Sequence, residues 1–278
     1  MDLKESYFDT GEVRLHVMEG PDSGPPLVLL HGIMGNWTAW AELIPQLAAR
    51  WHVYALDLRG HGLSGRPAAL EGYHLSHHVH DTLAFLRGGV RQPALLLGHS
   101  YGAVISLLSA GPAAEWLRGI VAEDPPLMLR RDSKDSDAYQ AYFAWVYQMR
   151  QTANTLEEVL AEVSKQNPTA PVDALRPWAQ SLTWLDPNLL LAVTAGNQRE
   201  TARDIDFAAH FRAIACPVLM LQADQDRGAA LKTVDLDFLM ANAPQARFLT
   251  FPGSGHGIHD EQPAAFLKAV EDFGASLA

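Results

Sequence analysis

Cysteine is nearly absent from this 278-residue chain. A single residue, Cys216, cannot close an internal disulfide, which excludes a disulfide-stapled scaffold and fits a reducing compartment. Excess positive charge is also missing. Lys and Arg number 21 against 32 Asp and Glu, a net charge of −11, so the sequence lacks the basic surplus needed to hold a phosphate backbone. No apolar run approaches the roughly 20 residues required to span a bilayer. The N-terminus, MDLKESYFDTGEVRLHVMEG, shows no basic stretch leading into an apolar one, and a cytoplasmic location is expected. Internal repeats and low-complexity tracts are lacking as well. With 48% hydrophobic and 19% charged residues, the chain has the balance of a globular protein able to bury a large core.

Short apolar runs alternate with helical stretches. After an expected hairpin over residues 5–19, turning near Thr10-Gly11, strands are predicted at 25–32, 52–58, 94–100 and 119–126. Helices are predicted between them at 37–50, with a break or kink at Pro45, at 75–88, closed by glycine, and directly after Ser100. Such alternation predicts an α/β fold, a mostly parallel sheet covered on both faces. From about 127 to 212 the rhythm stops. That block is helical, with aromatics at Tyr139, Tyr142, Phe143, Trp145, Tyr147, Trp178 and Trp184, and its charged stretch at 130–137 reads as a solvated loop or hinge. Strands resume at 216–224 and 246–253, with helices near 229–241 and 260–277.

The strongest chemical signal is Gly98-His99-Ser100-Tyr101-Gly102. A G-x-S-x-G at a strand-to-helix junction sets its serine on a sharp turn, with the next N–H groups at a helix start, where negative charge is favoured. Three more segments accompany it in chain order: His31-Gly32-Ile33-Met34-Gly35 after a strand, Asp57-Leu58-Arg59-Gly60-His61-Gly62-Leu63-Ser64 after the next, and Pro252-Gly253-Ser254-Gly255-His256 before the last helix.

Together these four segments resemble the α/β-hydrolase superfamily over nearly the whole chain outside the insertion. The resemblance implies an eight-stranded, mostly parallel sheet with a helical cap inserted after strand 6. The core would comprise 1–126 and 213–278, and the cap 127–212. It further implies Ser100 as nucleophile, His256 as base, and the backbone N–H groups of Ile33 and Tyr101 as an oxyanion hole. The acid that orients the histidine has two candidates. In most of the superfamily it follows the strand after the insertion, where the spacing falls on Asp226, with Asp224 a near neighbour. In a minority, including haloalkane dehalogenases and some lactone hydrolases, it ends the strand before the insertion, which here is Asp124, next to Glu123. Asp124 is favoured because Pro125-Pro126 would rigidly aim what precedes them, and because the later loop lacks the usual glycine.

The function expected is a serine hydrolase of small-to-medium hydrophobic carboxylic esters or lactones, with no cofactor, no metal, and no nucleic-acid or membrane partner, as a monomer or homodimer. A serine at the elbow argues against the dehalogenases and epoxide hydrolases that resemble this chain but carry Asp there. Carbon–carbon bond hydrolysis and cofactor-free perhydrolysis share the serine machinery. A hydrolase-like ligand receptor is the alternative of another class. Cap aromatics, with Met128 and Met149, would either line a pocket over Ser100 or form the cap's own core. The histidines at 74, 77, 78 and 80 read as a solvated helix face, His259 as exposed, and Cys216 as buried packing.

Overall fold

The computed structural model describes residues 1–127, 134–194 and 205–277. Eight strands build one sheet: β1 (Lys4–Asp9), β2 (Arg14–Glu19), β3 (Pro26–Leu30), β4 (His52–Leu56), β5 (Ala94–His99), β6 (Leu117–Glu123), β7 (Val218–Ala223) and β8 (Ala246–Phe251). Their order across the sheet is β1-β2-β4-β3-β5-β6-β7-β8. The N-terminal hairpin pairs antiparallel within itself and with β4, and every later pairing is parallel. Parallel neighbours need crossovers, and the helices that make them cover both faces. That is why β3 and β7 are buried along their whole length.

Side chains alternate between two cores, as the twofold period of a strand requires. Val28, Leu30 and Leu96 enter one core with Phe85 of α2 (Leu75–Phe85) and the small-residue helix α3 (Tyr101–Ser109). Leu27, Leu29, Leu95 and Leu97 enter the other, with Trp40 and with Phe266 and Phe273 of the C-terminal helix Pro263–Ala275.

Two helix predictions need correction. The stretch 37–50 is a single turn at Trp37–Trp40 followed by α1 (Ile44–Leu47). Asn36 caps the first turn, its side-chain oxygen accepting from Thr38 N at 2.9 Å, and Pro45 sits in the first turn of α1, where its missing N–H costs nothing. The helix at 75–88 is not closed by glycine. It widens over Leu86–Val90 and ends at Arg91, a left-handed residue with φ 61°. A Cβ on Gly88 would come within 2.9 Å of Phe8, and one on Gly89 within 2.6 Å of Phe85, so these glycines admit rings rather than stop the helix.

Between β6 and β7 lie the cap helices α4 (Lys134–Arg150), α5 (Leu156–Gln166), α6 (Val172–Trp184) and α7 (Pro187–Thr194). A capping box starts α5: Glu158 N–H donates to Thr155 Oγ1, and Thr155 N–H to Glu158 Oε2. The cap has its own core, including Val146, Val159, Leu160, Leu182 and Leu189. Tyr142 stacks with Trp145 and Trp178 at centroid distances of 5.7 and 6.3 Å, and all three pack against this core, as does Met149. Met128 and the side chain of Tyr139 lie outside the described residues. Helix Phe207–Arg212, at the end of the inserted segment, sends Phe211 into the α3-side core.

Candidate active site

Every residue of the site lies at the C-terminal ends of β3, β5 and β6, or in the loop after β8. Ser100 follows β5 with φ 51° and ψ −113°, a conformation that a residue with a side chain adopts only under compulsion. Its N–H donates to Glu123 O at 2.8 Å, and it leads directly into α3. Glycine is needed on either side of the turn. A Cβ on Gly98 would lie 2.3 Å from Gly102 O, and one on Gly102 would lie 2.3 Å from Leu30 O. Ser100 is 8% exposed, beneath the surface but reachable.

Asp124 follows β6 with φ 43° and is completely buried. Its Oδ1 accepts from Ala223 N and Leu231 N, both at 3.2 Å, and its Oδ2 from Ala230 N at 2.7 Å. The same Oδ2 lies 2.7 Å from His256 Nδ1. Because a buried carboxylate needs its lone pairs filled, this set of donors fixes its position. Asp226, by contrast, is exposed on the loop after β7, where its N–H donates to Asp224 Oδ1 at 3.0 Å. Asp224 Oδ2 accepts from Gly253 N at 2.7 Å; that bond and the one from Asp226 hold its carboxyl below the usual carboxylate range. It serves the backbone of the loop leading to His256.

The loop after β3 is pinned from beneath. His61 Nε2 donates to Ile33 O at 2.5 Å, and His31 Nε2 accepts from Leu58 N at 3.0 Å. Asp57 accepts from Trp37 N, Leu63 N and His16 Nδ1, bonds that outweigh burial and keep its pKa low. A Cβ on Gly62, at φ 52°, would fall 1.9 Å from Asp57 Oδ2. Arg59 is buried and grips Asp81 through two bonds of 2.6 Å. Thus the second motif is a brace for the first.

Residues 27–269 match the model of the alpha/beta hydrolase family. The chain belongs to that family. Among this hydrolase's relatives, the 2-(acetamidomethylene)succinate hydrolase of Mesorhizobium japonicum is 30% identical over 98% of this chain and 97% of its own. Epoxide hydrolase A of Mycobacterium tuberculosis is 33% identical over 50% of this chain and 44% of its own. A crystal structure of E-2-(acetamidomethylene)succinate hydrolase superposes with a TM-score of 0.78 at 26% identity, covering 98% of this chain and 99% of the other.

Two histidines of this hydrolase depart from expectation, and a third is notable for its enclosure. His259 is not exposed: it is buried, with Nδ1 2.9 Å from both oxygens of Glu123. His78 is also fully buried, unlike its helix neighbours, with its ring edge-on to Tyr101 at 5.0 Å; burial forces its pKa well below the ordinary value. His99 is largely enclosed, and burial lowers its pKa to about 3. The missed signal lies in β6. Residues 119–123 are all buried, so a carboxylate among them has to be paired. Cys216 is buried as expected, and burial pushes its thiol up to about 11. Among the described residues no helix is long and apolar enough to cross a membrane.

Proposed function

We propose that this hydrolase cleaves acyl bonds of small molecules through an acyl-serine intermediate, with Ser100 as nucleophile, His256 as base and Asp124 as the orienting acid. The observation that carries the reading is the Asp124–His256 contact. Asp124 Oδ2 engages Nδ1 at 2.7 Å, which fixes the tautomer and leaves Nε2 as the atom to take the Ser100 proton. Ser100 Oγ would then attack the carbonyl carbon. The oxyanion would be stabilised by the N–H groups of Ile33 and Tyr101, the latter at the positive end of α3. Collapse returns the proton from His256 to the leaving group, and water then releases the acid by the same steps in reverse. Residues 127–212 act as the lid, over a core of 1–126 and 213–278.

Carboxylic esters and lactones are the first substrate class. A second reading is an N-acyl bond, supported by the full-length relative named for an acetamido-substituted succinate. Two experiments test the proposal together. A fluorophosphonate should modify Ser100, located by peptide mass spectrometry, and Ser100→Ala should abolish both labelling and turnover of p-nitrophenyl acetate. A panel of graded esters, lactones, N-acyl amides and vinylogous diketones then ranks the bond classes. Labelling at another residue, or full turnover by Ser100→Ala, would refute the assignment.

A further inference from the structure

Each proposed catalytic residue has a titratable neighbour close to it in sequence: His99, largely enclosed, before Ser100; Glu123, buried, before Asp124; and His259, buried, three residues after His256. These three meet one another. His99 pairs with Glu123 across β5 and β6, and its ring lies 4.9 Å from that of His259. Glu123 takes His259 through N–H and Nδ1, three contacts of 2.9 Å. His99 Nε2 lies 3.1 Å from the carbonyl oxygen of His256. That oxygen only accepts, so Nε2 must carry the proton.

We propose that His99, Glu123 and His259 are positioning residues, a second triad beneath the first that fixes the His256 loop so that its imidazole meets Asp124. The inference rests on the catalytic reading above. Glu123, the last residue of β6, and Asp124, which follows it, grip His259, in the helical turn Ile258–Glu261, and His256, in the loop before that turn; two successive residues clamp one segment twice. His99 closes the clamp from the Ser100 side by holding the loop's backbone. Its other face meets the loop after β3, where a Cβ on Gly32 would lie 3.0 Å from Nδ1. The ligand-type atoms of the three side chains lie within 4.8 Å of one another, but they are engaged with each other and with the His256 carbonyl rather than turned to a common centre.

Charge supports the geometry. Burial lowers the His259 pKa, yet Glu123, helped by Asp260 3.6 Å from Nε2, more than offsets it and leaves it raised; burial raises that of Glu123, yet His259 and His99 leave it lowered. The two shifts have the sense of a mutually stabilising ion pair, each partner favouring the charged form of the other. Trp40, with its ring centroid 4.6 Å from that of His259, covers the imidazole with an aromatic face.

The test uses Glu123→Gln and the doubly neutral Glu123→Gln/His259→Gln, which leaves no lone buried charge. Both should lower kcat by about tenfold to a hundredfold with KM unchanged, the scale of a small misplacement of a reacting group. The low-field proton resonance of His256 Nδ1–H, assigned by its loss in His256→Ala, should shift or broaden. His99→Leu should do the same, whereas His99→Gln, which keeps an N–H donor, should retain most activity. Asp272→Asn, an exposed control whose side chain pairs with Lys268, should change neither readout. Wild-type kcat and an unshifted resonance in the folded variants would overturn the proposal. Full turnover by Ser100→Ala would instead refute the catalytic reading, while the resonance would still decide the positioning role.

Discussion

Asp124 Oδ2 lies 2.7 Å from His256 Nδ1, although 132 residues separate the two along the chain. If this contact sets the tautomer, Asp124→Asn should lower kcat by about 10³–10⁴-fold, as in other triads, because the amide presents the wrong hydrogen to the ring. Asp226→Asn should leave kcat within about twofold. Steady-state kinetics on a p-nitrophenyl ester with both variants decides between the acids. A large loss at Asp226 and a silent Asp124 would reverse the assignment.

The backbone of Ser100 predicts a trade between activity and stability. A side chain at φ 51° and ψ −113° stores strain of about 1–3 kcal/mol, which glycine would not carry. Ser100→Gly should be inactive yet melt at a higher temperature than Ser100→Ala. Calorimetry of the two variants checks this, and equal melting temperatures would show that the turn is unstrained.

Arg59 and Asp81 form a buried, two-pronged ion pair, with Gly72 O and Glu12 also on the guanidinium. Removing one partner leaves the other charge uncompensated. Asp81→Ala should therefore cost about 3–5 kcal/mol in urea unfolding, well above a surface change. The exposed pair Lys268–Asp272 serves as control, and its loss should cost less than about 1 kcal/mol.

Buried histidines make the fold sensitive to acid. Burial lowers His31 and His99 to about 3 and displaces His61 and His78 in the same direction. These rings stay neutral in the folded protein, while in the unfolded chain they protonate below about 6.5. The unfolded state thus binds more protons between those values. Stability should fall with decreasing pH by about 1.4 kcal/mol per unit for each of His31 and His99, with His61 and His78 contributing in the same sense. The Glu123–His259 pair adds a loss at the other end, as pH rises through the raised pKa of His259. Urea unfolding from pH 4 to 9 should give a maximum near or just above neutrality.

Much of this was legible in the sequence because it depends on short-range rules. The elbow, the loop after β3 and the brace at Asp57–Ser64 each announce themselves through glycines at positions where a Cβ would strike backbone or a carboxylate. Pro125-Pro126 pointed to Asp124 through the rigidity they confer on what precedes them. The apolar run of β6 signals that Glu123 needs a buried partner, but that the partner is His259 was not legible, because it lies 136 residues away and only the folded sheet brings them together. Arg91 defeated the helix-end rule, since Gly88 and Gly89 are used to admit rings. The aromatics of the cap carried no periodic signal to separate lining from core, and in the fold Tyr142, Trp145 and Trp178 pack with one another.

The cap does not rest only on itself. Ile33 and Met34 pack against its core, Asn36 donates to Ser181 Oγ at 2.8 Å, and Asp186 N–H donates to Gly60 O at 2.8 Å. Anyone grafting a foreign lid onto this scaffold to change its selectivity would therefore have to transplant residues 33–36 along with it. The cap and the loop after β3 are one packed unit, and neither can be replaced while the other stands still.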